Sequence, residues 1–356
     1  MLRQVWLAGA DDLYCLSQAR HAFRIAIDAL TAMQGRAPVV WFPAYFGSET
    51  LLAVRPTGAR LVFYPVTAAM TPDWPACRAL AATAKPDLFV LTHYFGTVSD
   101  LPGARAFCDE VGAVLFEDAS HILRPVGAVG QHGDMVCYSP RKFFHIPDGG
   151  LLAVRGAELS ARVAETARSL PQARASAGRW RWREFRRGFK RRLFGARPHK
   201  PLPAVTLESE IDLREPEVAI WMSDYARRKL AALAATGGID AVASSRMALH
   251  RELVDRLPAR TGMRAVESHE GVVPVATAMR CASEDAMLRT INALRAARGR
   301  AYLWPVLPPE VKANPDFYRE TLRLRRTVMY CAHQRAPDGT FTAFLDALPA
   351  MAGAAD

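Results

Sequence analysis

Short apolar runs that alternate with helix-like stretches constrain the fold of this chain more than any other feature. Six runs are nearly continuous in apolar residues, and they occupy residues 38–43, 59–66, 87–96, 112–120, 134–139 and 150–155. Between several of them, residues 17–33, 48–58 and 100–112 have apolar positions at helical spacing. Nearly continuous apolar strands are typical of a sheet that is buried on both faces. The alternation predicts an α/β fold with a mostly parallel central sheet flanked by helices.

Length and composition allow two domains. The chain has 356 residues and half of them are hydrophobic, so a sizeable core can form. We assign residues 1–238 to a large α/β domain that carries a basic insertion at 172–204. Residues 239–356 are assigned to a smaller C-terminal α+β domain.

Cysteine spacing and hydropathy indicate the compartment. The six cysteines lie far apart and form no CxxC pair, which argues against a zinc ribbon, a redox motif or disulfides. His132 and Asp134 have no accompanying ligand spacing, so no metal site is predicted. No run approaches the roughly 20 apolar residues of a membrane span, and the N-terminal stretch lacks a long apolar region. We therefore expect a cytoplasmic, soluble protein.

The formal net charge of +11 is concentrated in one segment. Residues 179–200 hold ten Lys or Arg residues against a single acid, Glu184, so the rest of the chain is nearly neutral. A protein that binds DNA over a whole face would spread its charge more widely, and no helix-turn-helix or zinc-finger spacing appears. Nucleic acid is not an expected partner.

Polar residues that end the apolar runs predict the position of a binding site. In an open α/β sheet, ligands bind beyond the carboxyl ends of the strands. The residues expected there are His93, Asp118, His121, Ser139 and Lys142, together with the start of the first long helix near Ala19, Arg20 and His21.

Lys142 is the only one of the six lysines that falls at this edge of the predicted sheet. A lysine and a strand-end aspartate in one crevice suit pyridoxal 5'-phosphate (PLP). The amine forms a Schiff base with the aldehyde, and the aspartate keeps the pyridine nitrogen protonated so that the ring accepts electrons. Residues near 17–20 and Ser139 are candidates for binding the phosphate group.

Two segments, FEDASH and GDMVCYSPRKFFHIPDGG, resemble the DegT/DnrJ/StrS sugar aminotransferases, which are fold-type I PLP enzymes. In that family two glycines follow the lysine by seven and eight residues, and Gly149 and Gly150 stand at these spacings from Lys142. The segments WFPAYFGSETLLAV, THYFG, WMSDYARRKLAALAATGGIDAVASSR, LWPVLP and YCAHQ are also similar to family segments. The resemblance covers most of the chain.

The resemblance implies a role for several residues. Lys142 would bind PLP and act as general acid and base, and Asp118 would contact the pyridine nitrogen. His121 would contact the phenolic oxygen, and Ser139 would bind the phosphate group.

The chain also departs from the family pattern. The interval from Ser139 to Lys142 is two residues shorter than usual, and Ala19-Arg20 replaces the Gly-Thr pair that opens the phosphate-binding helix. Tyr45 or Phe46 is a candidate for stacking on the PLP ring, and His145 for a second proton carrier. Aromatic residues at such positions more often belong to the core, and a histidine such as His145 is more often an ordinary loop residue.

Three function classes stay open. The first is an aminotransferase that moves an amino group from glutamate or glutamine to a keto-sugar, linked to a nucleotide and thus phosphate-bearing. The second is another PLP enzyme of this fold, such as a dehydratase or a transaminase of a non-sugar compound. The third is a catalytically silent relative that serves as a binding or membrane-surface module. Family dehydratases typically carry histidine in place of the lysine, so Lys142 favours the first class. The resemblance also implies a homodimer.

The basic segment has three interpretations. Trp182, Phe185, Phe189 and Leu193 recur at helical spacing, so they would line one face of a helix. Such a helix could lie on an anionic membrane. It could also pack this face on its own domain and present arginines to a phosphate-bearing substrate at the mouth of the site, or be a solvated insertion. We favour the second interpretation, because the family places loops near the active site shortly after the glycine pair.

Overall fold

The computed structural model describes residues 1–194, 202–208, 219–297 and 299–333. Its larger sheet has seven strands in the spatial order β1-β7-β6-β5-β4-β2-β3. These strands are β1 (Asp12–Leu16), β2 (Val39–Pro43), β3 (Arg60–Tyr64), β4 (Leu88–Thr92), β5 (Val114–Asp118), β6 (Met135–Tyr138) and β7 (Gly150–Val154).

The central sheet is mostly parallel, as the sequence predicts. Strands β2 to β6 pair in parallel, whereas β7 runs antiparallel to both β6 and β1. Each of the six apolar runs contains one strand, and most strand residues are fully buried. The sequence patterns missed β1, because its residues are mostly half-buried and the strand lies at the sheet edge.

Helices cover the sheet. The helices expected over 17–33 and 100–112 are confirmed by α2 (Arg20–Gln34) and α5 (Leu101–Val111), while 48–58 contains the short helix α3 (Ser48–Leu51) and a 3-10 turn. The helices are α1 (Leu2–Trp6), α2 (Arg20–Gln34), α3 (Ser48–Leu51), α4 (Trp74–Ala84), α5 (Leu101–Val111), α6 (Ala157–Ser169), α7 (Gly178–Phe194), α8 (Asp224–Ala235), α9 (Gly238–Thr261), α10 (Glu284–Ala296), α11 (Pro309–Lys312) and α12 (Arg319–Thr327). Two 3-10 helices span Arg55–Thr57 and Pro140–Lys142.

A second, smaller sheet follows α9. It is antiparallel, in the order β10-β11-β9-β8, with β8 (Arg264–Ala265), β9 (Ala276–Arg280), β10 (Ala301–Leu303) and β11 (Val328–Ala332). The α+β character expected of the C-terminal part is thus present. The domain boundary at residue 238 stays a prediction, and residues 334–356 of the assigned domain lie outside the described residues, as do 195–201 of the basic insertion.

No helix within the described ranges is long and apolar enough to cross a membrane. The cytoplasmic location stays a prediction.

The start of β7 meets the start of α2 at close range. A Cβ atom added to Gly150 would clash with the backbone of Gln18 and Ala19, which leads into α2. The preceding Gly149 donates its N–H to the carbonyl of Ser17 at 2.7 Å and adopts φ +153°. A side chain at residue 150 would meet backbone atoms of Gln18 and Ala19, which cannot rotate away as a side chain can. Glycine is therefore required where β7 passes beneath the start of α2.

We expect Gly150→Ala to lower the free energy of unfolding by about 1–3 kcal/mol, the usual cost of overpacking. Urea unfolding followed by circular dichroism measures this. Gly188→Ala is the matched control, because no atom lies within 4 Å of the added Cβ. The control should be neutral or stabilising by up to about 1 kcal/mol. Equal stability of Gly150→Ala and the parent would show that the contact is relaxed easily.

Candidate active site

Two adjacent carboxylates end β5. Side chains alternate between the faces of a strand, so Glu117 and Asp118 point to opposite sides of the sheet. Asp118 pairs in register with Thr92 of β4 and Cys137 of β6. It therefore lies at the carboxyl edge of the parallel strands, where a ligand is expected.

Asp118 is buried and has one carboxylate oxygen held by the protein. Its Oδ1 accepts the N–H of Ser120 at 3.0 Å and the thiol of Cys137 at 3.3 Å. The described residues offer no hydrogen bond to Oδ2. The carboxylate is thus oriented through Oδ1, and Oδ2 can accept a hydrogen bond from a ligand.

Glu117 has a structural role. It is fully buried and accepts N–H groups from Gly130, His132 and Gly133, which lie in the loop between β5 and β6. His93 Nε2 lies 3.2 Å from Glu117 Oε2, while His93 Nδ1 accepts the N–H of Ser99 at 3.1 Å. Burial opposes ionisation of Glu117, but these donors outweigh it and lower its pKa.

His93 therefore does not reach the candidate site. Its side chain is fully buried, and both ring nitrogens are engaged by Ser99 and Glu117. The expectation that it faces the crevice is wrong. The physical reason is that a buried carboxylate beneath the strand ends requires a partner.

Lys142 ends the 3-10 helix that follows β6, and its N–H bonds to the carbonyl of Ser139 at 2.9 Å. Solvent reaches the side chain, although protein atoms surround the amine on most sides. This partial desolvation lowers the pKa of Lys142 to about 8, against the opposing effect of the Asp118 carboxylate. An amine with this pKa has a substantial unprotonated fraction near neutral pH.

His121 lies beside Lys142 and is almost fully buried. Burial lowers its pKa well below the usual value, and the positive charge of Lys142 adds to the effect. The imidazole is therefore neutral. Its ring packs against Phe95 and Trp304 at centroid distances of 4.8 and 5.3 Å. Within the described part of the chain, Nδ1 has no hydrogen-bond partner. A buried, unsatisfied polar atom of this kind fits a ligand contact.

Positive charge gathers near the first turn of α2. Arg20 opens the helix after Ala19 and is buried, with its guanidinium bonded to the Glu49 carboxylate at 2.7 Å. Desolvation lowers the pKa of Arg141, and the charge of Arg20 lowers it further, so the two guanidinium groups interact. Two arginines and a helix N-terminus together favour an anion at this place.

Three other predicted residues, Ser139, Tyr45 and Phe46, lie just after β6 and β2. Ser139 is buried at the start of the 3-10 helix, in the lysine loop, which we define as residues 139–149 between β6 and β7. Tyr45 lies in the hydrophobic core, and its hydroxyl donates to the Trp304 carbonyl at 2.8 Å. Phe46 also belongs to the core, where it packs on Phe23 and Phe42. Both rings thus pack in the core just after the carboxyl end of β2, and a stacking role for Tyr45 stays a prediction.

His145 makes contact with α7 and not with the Lys142 amine. Its Nε2 lies 3.0 Å from the Glu184 carboxylate, and its ring packs on Trp180 at 4.9 Å. The loop interpretation of this histidine fits these contacts.

The C-terminal part of the chain contributes residues that sequence reasoning missed. Arg246 of α9 donates to the carbonyls of Lys142, Phe143 and Val275 at 2.9, 3.2 and 3.1 Å. The N–H of Val275 in turn bonds to the His121 carbonyl at 3.0 Å. Arg246 thus ties the lysine loop to the second sheet. No local sequence signal marks this arginine, because the contact joins residues more than a hundred positions apart.

The set of side chains at this edge fits PLP. It comprises an amine with a lowered pKa, a carboxylate with a free oxygen, a neutral imidazole with an unsatisfied nitrogen, and two arginines at a helix N-terminus. These groups match an aldehyde, a pyridinium, a phenolic oxygen and a phosphate group in turn. Among the residues that the structure describes, no group of three His, Cys, Asp or Glu side chains could hold a metal ion.

Comparison with protein families identifies one match. The sequence model of the DegT/DnrJ/EryC1/StrS aminotransferase family matches residues 7–195, which is more than half of the chain. No curated protein sequence matches closely enough to be counted as a relative.

Solved structures share the fold. S. venezuelae DesV, in complex with a ketimine intermediate, is 18% identical with a TM-score of 0.63, over 96% of this chain and 85% of that one. DesI, in the presence of its TDP-sugar product, is 16% identical with a TM-score of 0.62, over 95% and 80%. Bacillus subtilis NtdA with bound PMP is 14% identical with a TM-score of 0.62, over 95% and 73%.

We expect Glu117→Gln to lower the free energy of unfolding at pH 7 by about 3 kcal/mol, because it breaks a buried ionic network. A carboxyl group whose pKa is lowered by folding stabilises the fold above its unfolded pKa of about 4.3. This contribution disappears as the pH falls through the lower folded pKa.

The difference in free energy of unfolding between the parent and Glu117→Gln should therefore become smaller below a pH of about 4. Urea titrations at several pH values test both expectations. Glu165→Gln, at an exposed pair on α6, is the control and should change little at any pH. A difference that stays constant with pH would contradict the role given to the Glu117 charge.

Proposed function

This chain belongs to the DegT/DnrJ/EryC1/StrS aminotransferase family, whose cofactor is PLP, and from that premise we propose that it transfers an amino group from glutamate or glutamine to a nucleotide-linked keto-sugar. The observation that carries the proposal is the convergence of Lys142, Asp118 and His121 at the carboxyl edge of the parallel strands. The carboxylate and the imidazole follow β5, and the amine follows β6.

Lys142 would hold the cofactor and move the proton. Its amine, with a pKa lowered to about 8, would hold the aldehyde carbon of the cofactor covalently. When Nζ is free, it would accept the proton of the amino-bearing carbon and give it back later in the transfer. When bound, PLP supplies an electron-accepting ring for the charge that remains on that carbon.

Asp118 and His121 would orient the ring. Oδ2 of Asp118 would accept a hydrogen bond from the protonated pyridine nitrogen, while Oδ1 stays fixed by Ser120 and Cys137. The unsatisfied Nδ1 of His121 would contact the phenolic oxygen. Both side chains are almost fully buried, which excludes water and strengthens these contacts.

The phosphate group would lie at the start of α2. The family uses a Gly-Thr pair there, and this chain has Ala19-Arg20. Arg20 and Arg141 supply positive charge in place of the missing hydroxyl, and Ser139 lies close in sequence to the same loop. The replacement is physically consistent, because guanidinium groups bind phosphate with paired hydrogen bonds.

The substrate class rests on the family and its neighbours. The matched family is described as an aminotransferase family, and the structure of DesI was solved in the presence of its TDP-sugar product. We extend the proposal to a two-fold homodimer, the assembly implied by the resemblance to fold-type I enzymes.

The proposal is tested by an absorbance spectrum of the purified, PLP-loaded protein. We expect L-glutamate to bleach the visible band of the bound cofactor, and a nucleotide-linked keto-sugar to restore it. Lys142→Ala is the matched negative control, because it removes the covalent attachment and the proton carrier while leaving the fold unchanged. Borohydride reduction followed by peptide mapping should place the adduct on Lys142. An adduct on another lysine, or a visible band that neither L-glutamate nor L-glutamine changes, would refute the proposal.

Asp118→Asn tests the electrostatic role separately. The amide keeps the shape of the side chain and removes the charge that stabilises the protonated ring, so cofactor still binds while turnover falls by at least about a hundredfold. Steady-state kinetics measure turnover, and the bound PLP fraction is measured by its absorbance. Unchanged turnover would mean that another carboxylate has this role.

A further inference from the structure

The basic helix α7 projects a surface that the proposed transamination does not use. It spans Gly178–Phe194 and contains eight Lys or Arg residues against one acid, Glu184. One side of the helix contacts the rest of the protein. Trp180 packs between His145 and Tyr225 at centroid distances of 4.9 and 5.6 Å, and Lys229 lies over the Trp180 ring. Glu184 pairs with His145 at 3.0 Å. These contacts fix the orientation of the helix.

The opposite side carries an exposed apolar stripe. Trp182, Phe185, Phe189 and Leu193 are 61, 64, 56 and 59% exposed. The first three rings follow one another along the helix, with centroid distances of 5.9 and 6.4 Å. The interpretation favoured from the sequence required this stripe to pack on its own domain, and that packing is absent from the described structure. Exposed aromatic residues in such a row mark an interaction surface.

Cationic side chains border the stripe. An open groove of about 370 Å³ runs along the helix and is lined by Arg179, Trp182, Arg183, Arg186, Arg187 and Lys190. These cations are exposed beside the Trp182 ring, and Arg187 also pairs with Glu184 at 2.8 Å. A helix with an aromatic face bordered by arginines matches the chemistry of the boundary between lipid headgroups and acyl chains.

We propose that α7 docks the protein on an anionic lipid surface. The apolar stripe enters the headgroup boundary, and the bordering arginines bind the phosphate groups of the lipids. Charge complementarity favours this occupant over a second copy of the chain, because a two-fold contact would bring two strongly cationic helices together. A soluble sugar phosphate could pair with the arginines but would leave four large apolar side chains in water.

Vesicle flotation tests the proposal with the full chain in its PLP-loaded form. We expect binding to vesicles of phosphatidylglycerol and phosphatidylcholine in equal parts, and none to pure phosphatidylcholine. Raising the salt concentration from about 0.1 M to about 1 M should weaken binding, because it screens the headgroup charge. Two variants separate the contribution of the apolar stripe from that of the bordering positive charges.

The apolar variant combines Trp182→Ala, Phe185→Ala and Phe189→Ala. The charge variant combines Arg183→Gln, Arg186→Gln and Lys190→Gln, and leaves Arg187 to pair with Glu184. Each should weaken vesicle binding by at least about tenfold. The matched control combines Phe317→Ala, Arg319→Gln and Arg323→Gln, an exposed aromatic residue and two exposed arginines at α12. It should bind like the parent. Circular dichroism verifies that all three variants fold.

The glutamate half-reaction should be unchanged in both α7 variants. Absence of parent binding to anionic vesicles, or parent-like binding by the apolar variant, would overturn the proposal. A raised Michaelis constant for a nucleotide-linked sugar with unchanged vesicle binding would instead place α7 at the substrate mouth. Dissociation of a dimer into monomers in the apolar variant, measured by sedimentation, would show that a second copy covers the stripe.

Discussion

The buried carboxylate of Glu117 is the constraint on which the candidate site depends. It lies under the sheet edge with no exposure and must be satisfied by several donors. Backbone N–H groups of the loop from Gly130 to Gly133 supply most of them, and His93 supplies another. These hydrogen bonds hold the loop against β5, and β6, which follows the loop, pairs with β5. Ser139 and Lys142, which follow β6, reach the edge as a consequence.

Two neighbouring residues of one strand divide structure and chemistry between them. Glu117 organises the protein beneath the sheet edge, and Asp118, on the opposite face, keeps one oxygen for a ligand. The C-terminal part closes the same site from the other side, since Arg246 binds the carbonyl of Lys142 while Val275 binds that of His121. The lysine is thus fixed through its backbone and its amine stays accessible, an arrangement that suits a residue that must bind and release a cofactor.

The distribution of charge separates the site from α7. At the site there are two arginines: Arg20 pairs with Glu49, and Arg141 interacts with Glu49 and Asp148. Along α7, cations far outnumber acids and border an apolar stripe that the described residues leave uncovered. The two regions are nevertheless connected, because His145, in the lysine loop, contacts both Trp180 and Glu184. Surface docking and chemistry would thus act on adjacent parts of the same structure.

The sequence by itself determined the α/β class, six of the seven strands of the large sheet and the residues that end them. Nearly continuous apolar runs are a local property, and so is the spacing from Lys142 to Gly149 and Gly150. Only the tertiary structure decided which strand-end residues meet. His93 and His121 each come shortly after a strand, β4 and β5. His93 is hydrogen-bonded to Glu117, whereas Nδ1 of His121 has no partner among the described residues. Arg246 and the exposed stripe of α7 are equally beyond local patterns, because burial and pairing depend on residues distant in the chain.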